Sequence, residues 1–155
     1  MMNMPFFQPL IDFLLPPTCL LCMEKSENTK DICKACLADL PWLNNVCIQC
    51  ALLISFYAPD NTRKCGHCLR YTPPYNQMIA LWKYQDSIIP FISQLKYQHK
   101  LKYARLLGEL LTEELIKRKQ NENYSFPQLI IPIPLHYSRL RERGFNQSIE
   151  IAKYS

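Results

Sequence analysis

The chain has 155 residues, 48% of them hydrophobic, with 18 Lys and Arg against 13 Asp and Glu, a formal charge of +5. That length holds one ordinary domain, or a small stapled module joined to part of a larger one. The charge is uneven: residues 1–70 balance six basic against six acidic side chains, so the whole excess falls in 71–155, and bulk basicity is a weak argument for a nucleic-acid partner.

The first seventeen residues, "MMNMPFFQPLIDFLLPP", form an amphipathic N-terminal segment, 1–17, with no Lys or Arg ahead of the apolar residues and with Gln8, Pro9 and Asp12 interrupting them. This is a poor signal peptide. No stretch approaches the eighteen uninterrupted apolar residues that a membrane span needs, so the expectation is a cytoplasmic protein without a span. In a reducing compartment paired cysteines hold metal more often than they form disulfides.

All eight cysteines lie before residue 69, and each belongs to a C-x-x-C pair: Cys19/Cys22, Cys33/Cys36, Cys47/Cys50 and Cys65/Cys68. A C-x-x-C turn aims two thiolates at one point while its backbone N–H groups donate to the sulfurs, and two such turns close a tetrahedral zinc site. Taken consecutively, the pairs predict two structural zinc ions, one on Cys19, Cys22, Cys33 and Cys36, the other on Cys47, Cys50, Cys65 and Cys68. Interleaved, cross-braced pairing fits the same spacing. Eight thiolates and two divalent ions would bring the +5 chain close to +1. Metal here replaces the core that so short a segment cannot bury, which places a double zinc ribbon at 18–72. "CGHC" at 65–68 has the form of a dithiol redox motif, but thioredoxin-like chemistry needs a following helix, and the prolines of "LRYTPPY" discourage one. His67 reads as a solvent-facing knuckle residue.

After Pro73 and Pro74, "NQMIALWKY" (76–84) predicts a buried strand. In "DSIIPFISQLKYQHK" Asp86 or Ser87 can cap a helix, with Pro90 in its first turn, where a missing N–H is harmless. Tyr103, Leu106, Leu107, Leu110, Leu111 and Leu115 then mark an amphipathic helix over 101–119 that ends in Lys117, Arg118 and Lys119, basic residues suited to a helix C-terminus. "QLIIPIP" (128–134) predicts a short strand. The order strand, helix, helix, strand, helix argues for an α/β sheet, whose ligands bind beyond the carboxyl ends of the strands. That position belongs to "HYSRLRERGFNQ". On a helix Arg139 and Arg143 would share a face and Arg141 would point away; in a loop all three could converge. Guanidinium groups match the oxygens of phosphate in pairs.

Taken together, the cysteine pairs, "CGHCLRYTPPYNQMIALWKYQDSIIPFISQLKYQHKLKYARLLGELL" and "IPIPLHYSRLRERGFNQS" closely resemble the ComF (ComF/GntX) family of competence-associated proteins, from about residue 10 to the end. The resemblance implies a small zinc-ribbon module followed by a partial α/β phosphoribosyltransferase-like domain at 73–155, truncated after its first part. It also implies a link to DNA uptake, with a competence-machinery protein or single-stranded DNA as partner. The ligand it implies for an intact relative is phosphoribosyl pyrophosphate with magnesium. Arg139, Arg143, Gly144, Asn146 and Gln147 match the family's basic motif and would hold the pyrophosphate.

Two departures stand out. Family knuckles carry glycine just after the second cysteine, where a positive φ is convenient, and here Met23 and Ala51 occupy those places, which predicts turn strain. Type I transferases bind ribose and 5′-phosphate on a later strand ending in two acidic residues, and the one adjacent acidic pair, Glu113 and Glu114, lies inside the predicted helix. The chain is therefore expected to be inactive by itself. The other reading is a non-enzymatic zinc-ribbon adaptor in which Tyr71, Tyr75, Trp82, Tyr84 and Tyr97 stack on bases, with Lys83, Lys96, Lys100 and Lys102 on phosphates.

Overall fold

Helix formers cluster where the apolar period is 3.6 and fail where proline and the knuckles interrupt it. The computed structural model describes residues 18–26, 30–55, 63–121 and 126–155, so the segment expected at 1–17 lies outside the described residues. Six helices are present among these: α1 (Lys34–Ala38), α2 (Gly66–Arg70), α3 (Ile88–Gln98), α4 (Lys102–Asn121), α5 (Tyr137–Arg143) and α6 (Gln147–Ala152). By internal contacts the described residues up to Leu40 group with Ile89–Ser155 as one unit, and Pro41–Ile88 form a second. This division does not follow the change of composition near residue 70. The two cysteine clusters fall in different units.

In the first unit, α3 and α4 form where periodicity places them, and Pro90 is the third residue of α3. Phe91, Leu95, Ala104, Leu106, Leu107 and Leu110 are buried on these two helices, together with Leu20 and Ile32 from the cysteine segment. Phe91 and Tyr103 meet at a tilt of 57°, with centroids 5.2 Å apart, and the Tyr103 hydroxyl donates to the Leu20 carbonyl at 3.4 Å. α6 comes so close to α4 that a Cβ at Gly108 would lie 2.5 Å from the Ile151 carbonyl oxygen and 2.8 Å from Tyr154 Cβ. Only glycine fits there. Thr112 Oγ1, one turn on, donates to the Gly108 and Tyr154 carbonyls, both at 3.0 Å.

The second unit buries little aliphatic material among its described residues, leaving Leu52, Leu53, Leu69 and Met78 exposed. Cys47, Ile54, Cys65 and Cys68 are its buried cluster with Cys50 packed against them, and the rings of Trp42 and Trp82 lie 5.4 Å apart.

The α/β sheet expected from 76–84 and 128–134 does not form among the described residues, where β structure is limited to three isolated antiparallel bridges, Thr18 with Lys25, Trp42 with Trp82, and Val46 with Leu53. The 76–84 stretch contributes only the bridge at Trp82, flanked by Leu43 N–H to the Leu81 carbonyl at 2.8 Å and Lys83 N–H to the Pro41 carbonyl at 3.0 Å. Segment 128–134 is irregular, and Leu129, Ile130, Ile131 and Ile133 are exposed. A strand needs a neighbour for its backbone groups, and Pro132 and Pro134 have no N–H to offer one. Ile133 does have a partner through its carbonyl, which accepts from Asn146 Nδ2 at 2.9 Å. The described residues thus show two cysteine-rich ribbons and a helical region, not a phosphoribosyltransferase-like sheet.

Candidate functional site

The two cysteine clusters are built alike. In each, the first C-x-x-C is a tight turn: Cys19 N–H donates to the Glu24 carbonyl (2.8 Å) and Met23 N–H to the Cys19 carbonyl (2.9 Å), just as Cys47 N–H donates to Leu52 (2.8 Å) and Ala51 N–H to Cys47 (2.9 Å). Closing these turns puts Met23 at φ 63° and Ala51 at φ 57°, the left-handed region disfavoured by Cβ sterics. The positions where glycine was missed in the sequence are therefore left-handed in both knuckles. Met23→Gly and Ala51→Gly should each relieve roughly 1 kcal/mol of strain, partly offset by the entropy of glycine in the unfolded chain. A small rise in thermal midpoint of the zinc-loaded protein would show this; a fall for both variants would contradict it.

The second C-x-x-C of each cluster opens a short helix. Cys33 caps α1 and its sulfur accepts from Cys36 N–H at 3.4 Å; Cys65 caps α2 and accepts from Cys68 N–H at 3.5 Å. A helix does follow "CGHC", but it spans five residues and stops before Pro73, and both cysteines of the motif belong to a four-sulfur set. His67 is exposed, with its ring 5.6 Å from that of Tyr71.

The pairing is consecutive. Sulfurs of Cys19, Cys22, Cys33 and Cys36 lie within 4.8 Å of one another, as do those of Cys47, Cys50, Cys65 and Cys68. Zinc–sulfur bonds of about 2.3 Å in a tetrahedron separate the sulfurs by about 3.8 Å. Cys22 and Cys33 Sγ are 3.8 Å apart, and Cys50 and Cys65 Sγ 3.7 Å. Both donor sets fit structural zinc, all-sulfur and closed, with no position left for a reacting water.

Backbone donors prepare the thiolates. Burial opposes ionisation of Cys19, but N–H groups of Cys22, Cys33 and Leu21 outweigh it and bring the thiol down to about 6. Cys47 behaves the same way: burial is overcome by N–H groups of Cys65, Cys50 and Gln49, and its thiol also falls to about 6. Burial and the neighbouring sulfurs push Cys36 up and Cys68 up to about 12. Cys22 and Cys50 are raised as well, so each cluster pairs one ready thiolate with sulfurs held toward the thiol form, as expected of sulfurs crowded at metal distance.

The arginine-rich stretch forms a helix–turn–helix. His136 caps α5 by accepting from Ser138 N–H through Nδ1 at 3.3 Å. Gly144 ends it at φ 70°, its N–H donating to the Leu140 carbonyl at 2.8 Å. Asn146 is buried and caps α6, with Oδ1 accepting from Ser148 N–H at 2.9 Å while Nδ2 holds Ile133. Arg139 is exposed and paired with Glu142 at 3.0 Å. Arg143 lies over the Tyr97 ring at 5.4 Å and reaches Gln147 Oε1 at 3.4 Å.

Sequence reasoning put Arg139 and Arg143 on one helix face and turned Arg141 away, yet a shallow cleft of about 440 Å³ is lined by Arg141 and Arg143, with His99, Leu101, Glu142, Gly144 and Phe145. Arg139 is not among them. Arg141 rests on Tyr137, four residues back, with Nη2 donating to the Tyr137 hydroxyl at 2.7 Å. That spacing was the available signal for Arg141. His99 had none, because it arrives from the turn between α3 and α4, where it has φ 55°.

Comparison with known proteins agrees with this geometry. Residues 10–69 match the double zinc ribbon domain family. The chain is 31% identical over 135 residues to DNA utilization protein YhgH of Shigella flexneri, covering 86% of this chain and 58% of that protein, and 30% identical over the same length to YhgH of Escherichia coli K12. Competence protein F of Haemophilus influenzae is 27% identical over 134 residues, 84% of this chain and 55% of that one. The chain belongs to the ComF family. This ComF-family chain spans 58% of the length of the YhgH relatives named. No solved structure matches it. Among the described residues, no helix is long and apolar enough to cross a membrane.

Proposed function

We propose that the chain serves in DNA uptake, in line with the DNA utilization and competence that its relatives' names state for them, and that its arginine-rich turn is an anion site. In this reading Arg143, Gly144, Asn146 and Gln147, with Arg141, form the pyrophosphate side of a phosphoribosyltransferase-like domain, and Arg139, paired with Glu142 outside the cleft, joins them only by leaving that carboxylate; the ligand is phosphoribosyl pyrophosphate with magnesium. The two zinc ions hold the fold and take no part in chemistry.

One observation carries the anion site. Arg105, Arg118 and Arg139 each pair with a carboxylate, whereas Arg141 and Arg143 face tyrosine rings beside a cleft and neither has a carboxylate partner among the described residues. Guanidinium groups held beside rings, each with one N–H spent on a neutral neighbour and none on a carboxylate, keep donors for phosphate oxygens. A second reading, an adaptor for single-stranded DNA, draws on exposed rings and exposed lysines: Tyr71, Tyr84 and Lys83 in the second unit, Tyr97, Lys100 and Lys102 in the first.

Calorimetric titration separates the two. Pyrophosphate and phosphoribosyl pyrophosphate with magnesium should bind, and Arg143→Ala should weaken them by about tenfold or more, the value of one charge-assisted hydrogen bond. Affinity indifferent to both Arg143→Ala and Arg141→Ala would overturn the anion site. A single-stranded oligonucleotide whose binding does not weaken with salt would dispose of the phosphate-contact version of the adaptor.

A further inference from the structure

The two zinc sites are alike in ligands and unlike in surroundings. In the first, Cys22 is exposed, Cys33 and Cys36 are half-buried and Cys19 alone is buried; in the second, Cys47, Cys65 and Cys68 are buried and Cys50 is half-buried. Release of a closed zinc site begins with attack by solvent, proton or competing ligand at an accessible sulfur, so the shell around a site controls its exchange. The first site offers such a sulfur in Cys22.

The first site is also tied to a helix remote in sequence. Leu20, beside Cys19, donates its N–H to the Asp31 carbonyl at 2.9 Å and accepts from the Tyr103 hydroxyl at 3.4 Å. The Asp31 carboxylate pairs with Arg105, and Lys30 pairs with Glu113. Tyr103, Arg105 and Glu113 of α4 therefore grip Leu20, inside the first C-x-x-C, and Lys30 and Asp31, between the two cysteine pairs of the first site. The second site is held from within its own unit, by Ile48 N–H to the Arg63 carbonyl and Met78 N–H to the Gln49 carbonyl, both at 2.8 Å.

We propose that the first site is the exchangeable one and that its zinc and helix α4 stabilise each other through Leu20, Lys30, Asp31, Tyr103, Arg105 and Glu113, making metal occupancy there a control on the helical unit. Zinc orders the knuckle that α4 grips, and the grip orders the sulfurs that zinc needs. Such coupling is reciprocal by thermodynamic necessity. Loss of the first zinc frees α4, and with it α6, which packs at Gly108 and whose cap, Asn146, holds the arginine-rich turn. The second ribbon stays folded.

The test uses the zinc-loaded 155-residue chain and a colorimetric chelator. Two release phases of one zinc each are expected, with iodoacetamide labelling of Cys22 following the faster. Arg105→Ala, distant in sequence from every cysteine, should speed the fast phase by about tenfold and leave the slow phase unchanged. Hydrogen exchange after the fast phase should rise along α4 and not around Cys47–Cys68. If Arg105→Ala does not fold, Asp31→Asn, which keeps the side chain's size, reports the same coupling. A single phase releasing both zincs, labelling that starts in the second cluster, or a fast phase indifferent to both variants would each overturn the proposal.

Discussion

Stripping zinc with excess chelator at neutral pH is expected to unfold both cysteine ribbons, the largest effect any single treatment should have on this chain. Structural zinc contributes about 10–16 kcal/mol of apparent binding free energy in small zinc-folded peptides, as much as the whole stability of a typical domain. Nothing in the second unit can replace it. Among its described residues the buried cluster consists of Ile54 and three cysteines, with Cys50 packed against them, and the β structure is single bridges. Both tryptophans of the chain, Trp42 and Trp82, meet at a tilt in that unit, so tryptophan emission reports its unfolding selectively. Emission unchanged after complete zinc removal under reducing conditions would refute a metal-built ribbon.

The same chemistry sets a pH dependence. Cys19 and Cys47 are thiolates down to about 6, against an ordinary thiol value of 9.0. For a group lowered in the folded state the contribution to stability is whole above the ordinary value, declines as the pH falls, and is gone below the folded value. Zinc affinity declines over a wider range, because each sulfur that must shed a proton to bind steepens the fall: Cys36 and Cys68, pushed up, already oppose loading at neutral pH, and the fall is steepest below about 6, once Cys19 and Cys47 carry protons too. Titrations of zinc affinity at several pH values check the slope.

Much of this was legible in sequence because it is local. The spacing of Cys19/Cys22 and Cys33/Cys36 sets the first zinc site as far as two knuckles can, although consecutive and cross-braced pairing became distinguishable only from the sulfur positions. The 3.6 period and Pro90 located α3 and α4 within a residue or two. Met23 and Ala51 were marked by the absence of glycine where a left-handed turn is needed. What was not legible depends on partners far along the chain. An apolar run such as "QLIIPIP" reads as a strand, yet a strand exists only with a neighbour, and among the described residues it has none. The grouping of the first ribbon with the helices rests on Arg105 meeting Asp31, 74 residues away, and charge pairs at that distance leave no local signature. Arg141 and Arg143 share a cleft because His99 and Leu101 close its other side, which no helical period on α5 foretells.

Phe91→Ala is the second change expected to be severe. The ring is fully buried and meets Tyr103 at 5.2 Å; truncating a buried phenylalanine costs about 3–5 kcal/mol in lost transfer energy and unfilled cavity. The loss should not stay at the helix pair. Tyr103, held by that ring, sends its hydroxyl to the Leu20 carbonyl beside Cys19, and burial there raises the Tyr103 pKa, so the phenol stays a neutral donor. Losing Phe91 removes the surface that positions it. The expected result is a selective melt in which helical circular dichroism, dominated by α3 and α4, falls at lower temperature, while the emission of Trp42 and Trp82 keeps its midpoint. A single shared transition, shifted equally in both signals, would mean that the two units unfold as one. An unshifted helical transition would mean that this ring is not the keystone of the helical core.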